Sequence, residues 1–478
     1  MKFKTKCYAH QTEAFEASKD QTCFAFLLDM GTGKTKICLD NIAYQYQSRL
    51  IERAVIVAPK GVYLNWIGEI DTHLACAADV GYWKANLKSK EKEKLELLLR
   101  SEGRLKILLV NVEAFSTGRV MDYVKSFLDA GGEASFCIDE ATKIKNITAN
   151  RTKNIIKISR TARYRRILTG TPVTNSPLDL YAMFYFLDSR ILGFNSFYAF
   201  RNTFAITKQQ DLANGRRFDV VVGYRNLESL KEKMKPFSFR KLRSECVDLP
   251  DKVYMTRLIE LTDEQQKIYS AMKNTMMAEM GGKEVAVTMA ISKLMKLHQI
   301  SCGFMNDTKG SAIELEGANP RLEALMDILE EESQKVIIYA NYRHNIEEVY
   351  EAVKEKYGKE SVVHYYGDTS SDDMEYAKKE FQDPGSMVRY FVGNPSKAGY
   401  GLTLTEAGHV IFYSNDYDIE KRQQAEDRAH RIGQTKTVIY TDIIARGTVD
   451  QVITNSLKSK VKIQDLILGG KWNDIFTP

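Results

Sequence analysis

Nowhere in these 478 residues does an apolar run approach the ~18 residues that a membrane-spanning helix requires. The opening Met1-Lys2-Phe3-Lys4 leads into no signal-peptide core. Cysteine is sparse and scattered, at positions 7, 23, 38, 76, 137, 246 and 302, and no Cys-x-x-Cys pair occurs. That spacing speaks against a zinc site or a disulfide framework and for a reducing compartment. The expected location is the cytosol or nucleus, with no membrane partner. A surplus of one charge is lacking too: 68 Lys and Arg stand against 62 Asp and Glu, a net charge of +6. Such a balance permits a nucleic-acid partner without demanding one, so local clusters must carry that case. The hydrophobic content of 44% and charged content of 27% are those of a globular chain. The length suits two or three domains better than one core.

What is present is organised around Leu27–Thr35, Leu-Leu-Asp-Met-Gly-Thr-Gly-Lys-Thr. The apolar run Phe24 to Leu28 ends in two glycines, a lysine and a threonine, and Ile37-Cys38-Leu39 resumes an apolar pattern. Strand, tight loop and helix start in that order cradle phosphate. Gly31 and Gly33 let backbone N–H groups turn toward an anion at a helix N-terminus. Lys34 is placed to reach the β- and γ-phosphates, and the Thr35 hydroxyl to ligate Mg²⁺. Leu28 stands where the strict phosphate-loop pattern asks for a first glycine. Residues 1–20 read as an amphipathic helix, and the amide of Gln11 can both donate and accept, which matches an adenine edge.

Continuous apolar runs suit parallel strands buried on both faces, as at Ala54–Ala58 and Phe136–Ile138, and Leu105–Val110 reads as another buried strand. In sequence order, Phe136–Ile138 comes after the other two. The last ends in Asp139-Glu140, about 100 residues beyond the phosphate loop. Open α/β sheets bind ligands at strand C-termini, so this pair suits metal binding through Asp139 and water activation by Glu140. Residues 84–104 read as a charged surface helix. Residues 141–166 hold nine Lys/Arg and no Asp/Glu, either a solvated face or a phosphate-backbone contact. Arg166 to Pro172 forms a strand ending in threonines that suit sensing of a γ-phosphate.

Residues 178–240 turn helical and aromatic, a core rather than a base-stacking platform. Glu264–Leu297 reads as a long helix and residues 303–320 as a flexible connection. A second α/β pattern follows, with strands expected at 335–340, 362–366, 389–392, 410–413 and 438–443 and no phosphate loop of its own. Arg428 and Arg431 lie three apart on an expected helix and share a face, which suits arginine fingers acting on a nucleotide held elsewhere.

Taken together, these segments resemble a Swi/Snf-type ATPase of helicase superfamily two, nearly end to end. Asp29–Thr35 is similar to motif I, Val55–Trp66 to motif Ia, Asp139–Thr142 with Lys145-Asn146 to motif II, and Leu168–Asn175 to motif III. Lys335–Ala340 matches motif IV, Ser396–Leu404 motif V, and Gln424–Gln434 motif VI, whose Arg-Ala-His-Arg-Ile-Gly-Gln run is the most specific. Phe239–Arg243 and Leu249-Pro250 resemble the segment that braces the lobes. His10, Thr32, Thr142 and Tyr417-Asp418 depart from the commoner residues of the pattern.

The resemblance implies an α/β protein of two RecA-like lobes, parallel sheets flanked by helices. Lobe one would span 1–245 with a helical insertion at about 178–240, and lobe two 246–478 with one at about 255–320. It implies a DNA-dependent ATPase that uses ATP and Mg²⁺ to translocate on duplex DNA, a bare motor without appended domains. Gln11, Gly31, Thr32, Gly33, Lys34, Thr35, Gly401 and Gln424 would contact the nucleotide. Thr35 and Asp139 would hold the metal, partly through water, and Lys34, Asp139, Glu140, Arg428 and Arg431 would carry catalysis. A strand-separating or annealing helicase and an ATP-driven clamp stay open beside this. So do single-stranded DNA, RNA as the less favoured substrate, and a protein partner.

Overall fold

A computed structural model describes residues 2–60, 62–100, 103–173, 176–211, 217–246, 249–280, 287–307, 310–398, 402–431 and 433–459. The chain divides into two compact units, Met1–Asp248 and Leu249–Pro478. In the first, β1 (Cys23–Leu28), β2 (Arg53–Ala58), β3 (Ala78–Tyr82), β4 (Leu105–Asn111), β5 (Ala134–Ile138), β6 (Tyr164–Leu168) and β9 (Ser238–Lys241) form one sheet. Its order is β3-β4-β2-β5-β6-β1-β9, and every pairing is parallel. Side chains of β1 alternate between its two faces. Cys23, Ala25 and Leu27 enter one core, and Phe24, Phe26 and Leu28 the other. That alternation with no polar residue is why the strand reads as an unbroken apolar run.

The second unit repeats the plan with β10 (Lys252–Ile259), β13 (Lys335–Tyr339), β14 (Val362–Tyr365), β15 (Tyr390–Gly393), β16 (Ala407–Phe412) and β17 (Val438–Ala445). The order β10-β17-β16-β13-β15-β14 is again parallel throughout, with an apolar core on each face. The expected fold class holds: two α/β lobes of the RecA-like kind, parallel sheets between helices.

Several local expectations are corrected. The stretch at 178–240 is not purely helical: it contains the antiparallel hairpin β7 (Ala205–Asp211) and β8 (Arg217–Tyr224) and the edge strand β9. The stretch at 255–320 likewise begins inside β10, and residues 303–320 include a small hairpin, β11 (Phe304–Asn306) with β12 (Ala312–Glu314). The long helix at 264–297 is two, Asp263–Met280 and Val287–Ser301, and the first helix covers only Ala9–Ser18 of residues 1–20. Strand β3, inside no expected element, carries only Gly81 as a buried residue. β3, β9 and β10 share one cause. Each lies at a sheet edge, so it is covered on too little of its surface to need a continuous apolar run.

The aromatics of 178–204 do form core: Tyr181, Phe184, Phe186, Phe200 and Phe204 are buried in the first unit. Among the described residues no helix is long and apolar enough to cross a membrane.

Candidate active site

Because the first sheet is parallel, the C-terminal ends of β1, β5 and β6 open on one edge. Directly after β1 the chain turns through Gly31 (φ 77°) and Gly33 (φ 87°), both left-handed, and Gly33 caps the helix Lys34–Gln47. The first N–H groups of that helix have no carbonyl of their own helix to bind, as an anion site requires. A Cβ on Gly33 would fall 2.2 Å from Gln11 Nε2, so the loop has no room for a side chain there. The Lys34 ammonium donates to the carbonyls of Leu28 (2.9 Å) and Asp29 (3.0 Å), folded back over the loop. Thr35 is half-buried in the first turn, and the Thr32 hydroxyl donates to Asp29 O.

Gln11, the residue expected at an adenine edge, makes one bond from each end of its amide, and one of the two ties it to the loop. Its Oε1 accepts from the backbone N–H of Tyr8, and its Nε2 donates to the carbonyl of Thr32. His10 Nε2 donates to the same carbonyl at 2.8 Å. The start of helix Ala9–Ser18 therefore grips the phosphate loop.

Asp139 follows β5 and is 8% exposed. One carboxylate oxygen accepts from the Trp66 indole N–H (3.1 Å), the other from the Glu140 backbone N–H (3.0 Å). Burial pushes the Asp139 carboxyl above its ordinary range, while the nearby Lys34 ammonium, Trp66 and the Glu140 amide act the opposite way. The Lys34 charge thus acts on the Asp139 carboxylate. Glu140 adopts a left-handed backbone (φ 49°, ψ 57°), an uncommon state for a residue with a Cβ and one found at functional turns. It opens a 3₁₀ turn, Ala141–Ile144, that buries Thr142. Beneath the site, fully buried Cys38 of the loop's helix and Cys137 of β5 bring their sulfurs to 3.2 Å.

The second unit holds the other predicted residues. The helix Ile419–Ala429 carries buried Gln424 and Arg428, but it ends before Arg431, so the two arginines do not share a helical face as expected. They converge by another route. Arg428 and Arg431 both donate to the Leu402 carbonyl, and Arg431 also to the Thr403 hydroxyl at 3.0 Å. Gln434 fastens the same turn by donating to the carbonyls of Thr405, Ala407 and Ala429. Gly401, Thr174 and Asn175 lie outside the described residues.

Not all of the basic run is available to a ligand. Arg166 is fully buried and donates to the carbonyls of Thr22, Ser18, Gln21 and Arg165. Lys153, Lys157, Arg160 and Arg163 are exposed. Trp66 and His10 are the site neighbours to which the motif reading gave no role. Trp66 lies at the end of motif Ia, and His10 stands directly before Gln11.

The donor set fits a small hard cation. A hydroxyl at Thr35 and a fixed carboxylate at Asp139 are oxygen ligands, and Mg²⁺ takes one or two carboxylates with phosphate oxygens and water completing its shell.

Residues 17–305 match the SNF2-related domain and residues 320–433 the helicase conserved C-terminal domain. The chain belongs to the SNF2-related family. It is 26% identical to the probable ATP-dependent DNA helicase CHR12 of Arabidopsis thaliana, over 94% of this chain and 40% of that protein. It is 27% identical to the DNA annealing helicase and endonuclease ZRANB3 of Mus musculus, over 98% of this chain and 41% of that protein. The chain thus spans about two fifths of the length of these relatives. A solved structure of the Sulfolobus solfataricus SWI2/SNF2 ATPase core in complex with dsDNA is 23% identical, with a TM-score of 0.43, covering 98% of this chain and 95% of that one.

Proposed function

We propose that the chain is a DNA-dependent ATPase that translocates along duplex DNA. The observation that supports this best is the meeting, at one sheet edge, of the Gly31–Thr35 loop with the Asp139-Glu140 pair. On this reading the loop N–H groups and Lys34 bind the phosphate chain of ATP. Thr35 and Asp139 would hold Mg²⁺, which would supply charge neutralisation at the phosphate oxygens. Glu140 takes a proton from the attacking water. Gln424 and Gly401 complete nucleotide binding from the second lobe. Arg428 and Arg431 act as arginine fingers on the bound nucleotide, a role that contributes ~10³–10⁵ in rate. Duplex DNA then switches hydrolysis on, and repeated rounds of hydrolysis move the motor along one strand.

The test is ATP turnover with no nucleic acid, duplex DNA, single-stranded DNA or RNA, at low and moderate salt. Stimulation mainly by duplex, fading as salt rises, supports the reading. Equal turnover in all four overturns it and points to a protein as the controlling partner. The name of the ZRANB3 relative favours one second reading, a motor that anneals strands. An assay for ATP-dependent reannealing of a melted duplex separates the two.

A further inference from the structure

One peptide group of the phosphate loop is gripped from outside the loop. The Thr32 carbonyl accepts from His10 Nε2 at 2.8 Å and from Gln11 Nε2 at 3.1 Å. In a planar trans peptide the carbonyl and the following N–H point in opposite directions. With the Thr32 carbonyl turned toward the helix Ala9–Ser18, the Gly33 N–H is turned away from it. Glycine on the far side of that bond makes a flip of the plane cheap, since Gly33 tolerates φ of either sign. The loop sequence alone therefore does not fix the direction of this N–H.

His10 is built for the task. It is 1% exposed, and its ring lies nearly parallel to that of Tyr8, at 15° with centroids 6.0 Å apart. A carbonyl can only accept, so Nε2 carries a hydrogen, and the buried Nδ1 has no partner among the described residues.

We propose that His10 is a positioning residue, whose Nε2–H holds the Thr32–Gly33 peptide in the orientation that presents the Gly33 N–H to a bound phosphate chain. The inference rests on the ATP-binding reading above. It acts through phosphate and not through the base, so its loss weakens every polyphosphate ligand alike.

The experiment is calorimetric binding of a non-hydrolysable ATP analogue and of inorganic tripolyphosphate, each with Mg²⁺, to the full chain. The variants are H10F, which keeps a ring and loses the donor, and H10Q, whose amide nitrogen falls near the position of Nε2. H10F is expected to weaken both ligands about fivefold, the worth of one net hydrogen bond. H10Q is expected to return both to within about twofold of wild type. If H10F does not fold, H10N, whose amide stops short of the Thr32 carbonyl, takes its place against H10Q. Binding by H10F equal to wild type overturns the inference alone. So does a loss confined to the ATP analogue, or a folded H10Q as weak as H10F. A wild-type chain that binds neither ligand overturns the ATP-binding reading, and this inference with it.

Discussion

Trp66 and Asp139, 73 residues apart in sequence, are joined by a 3.1 Å hydrogen bond from the indole N–H to the carboxylate. The donor lies on the helix Asn65–His73 that follows β2, and the acceptor just past β5, the strand paired with β2. Motif Ia and the acidic pair are therefore one unit. Trp66→Phe is expected to cost about 1–3 kcal/mol by leaving a buried carboxylate short of a donor. It should also raise the Mg²⁺ concentration needed for half-maximal turnover several-fold, because the Asp139 carboxylate loses the donor that fixes its orientation. Urea midpoints and a Mg²⁺ titration check the two effects.

Lys34→Ala removes the ammonium that folds over the loop and faces Asp139. Glu140→Gln keeps the size of the side chain and removes the base. Each is expected to lower ATP turnover by about 10²-fold or more while leaving the thermal midpoint within a few degrees. Unchanged turnover in either would remove that residue from the site.

Arg431→Ala should leave nucleotide binding close to wild type and abolish stimulation by DNA, a drop of order 10³ in the stimulated rate. A filter-binding measurement beside the DNA-dependent assay separates binding from turnover. A variant that still responds fully to DNA would rule out the finger role.

Arg166 gives the contrasting case. Its guanidinium sits on four backbone carbonyls with no exposure, so Arg166→Gln is expected to destabilise the first lobe by about 3 kcal/mol or more. Lys153→Ala, at an exposed position of the same basic run, should leave stability within about 0.5 kcal/mol. If that run meets DNA, Lys153→Ala should also reduce the salt dependence of binding by about one phosphate contact. Denaturation curves and salt titrations of both variants test this split.

The second lobe predicts an acid limb to stability. His298 is fully buried against Tyr342, Asp450, Arg321 and Tyr417, and burial pushes its pKa down to about 4. The folded state binds fewer protons than the unfolded state, where histidine titrates near about 6.5, so the favourable contribution is whole above that value and drains as pH falls toward the folded pKa. The loss at pH 5 is about 2 kcal/mol relative to pH 7. Buried His409, also shifted down, adds in the same direction. Urea midpoints at the two pH values, with His298→Asn giving a flatter profile, check the sign and the source.

Sequence alone made the central architecture legible for a physical reason. β1, β2, β4, β5, β13 and β16 are covered on both faces, which calls for runs dominated by apolar residues. The candidate site was legible as a pattern because phosphate and metal chemistry would permit few residues at Gly31, Gly33, Lys34, Thr35 and Asp139. The edge strands β3, β9 and β10 were not, since β10, for one, exposes Val253, Tyr254, Met255 and Leu258 and is held mainly by its backbone pairing with β17. Nor was the Trp66–Asp139 bond, or the joint hold of Arg428 and Arg431 on Leu402. Both depend on where tertiary structure places a lone carbonyl or carboxylate. Gln11 is the instructive intermediate: its position was conspicuous, and the bonds of its amide to Tyr8 and Thr32 were not.

The contact between Cys38 and Cys137 gives the protein a native reporter of its own motion. One sulfur rides on the helix that begins at the phosphate loop, the other on the strand that delivers the acidic pair, and neither is reached by solvent. A small alkylating reagent can label them only in moments when helix and strand have parted. Their labelling rate therefore clocks the opening of the first lobe from inside, with no introduced dye. A ligand that bridges loop and acidic pair should slow both thiols in step, while half-buried Cys76 keeps its own pace.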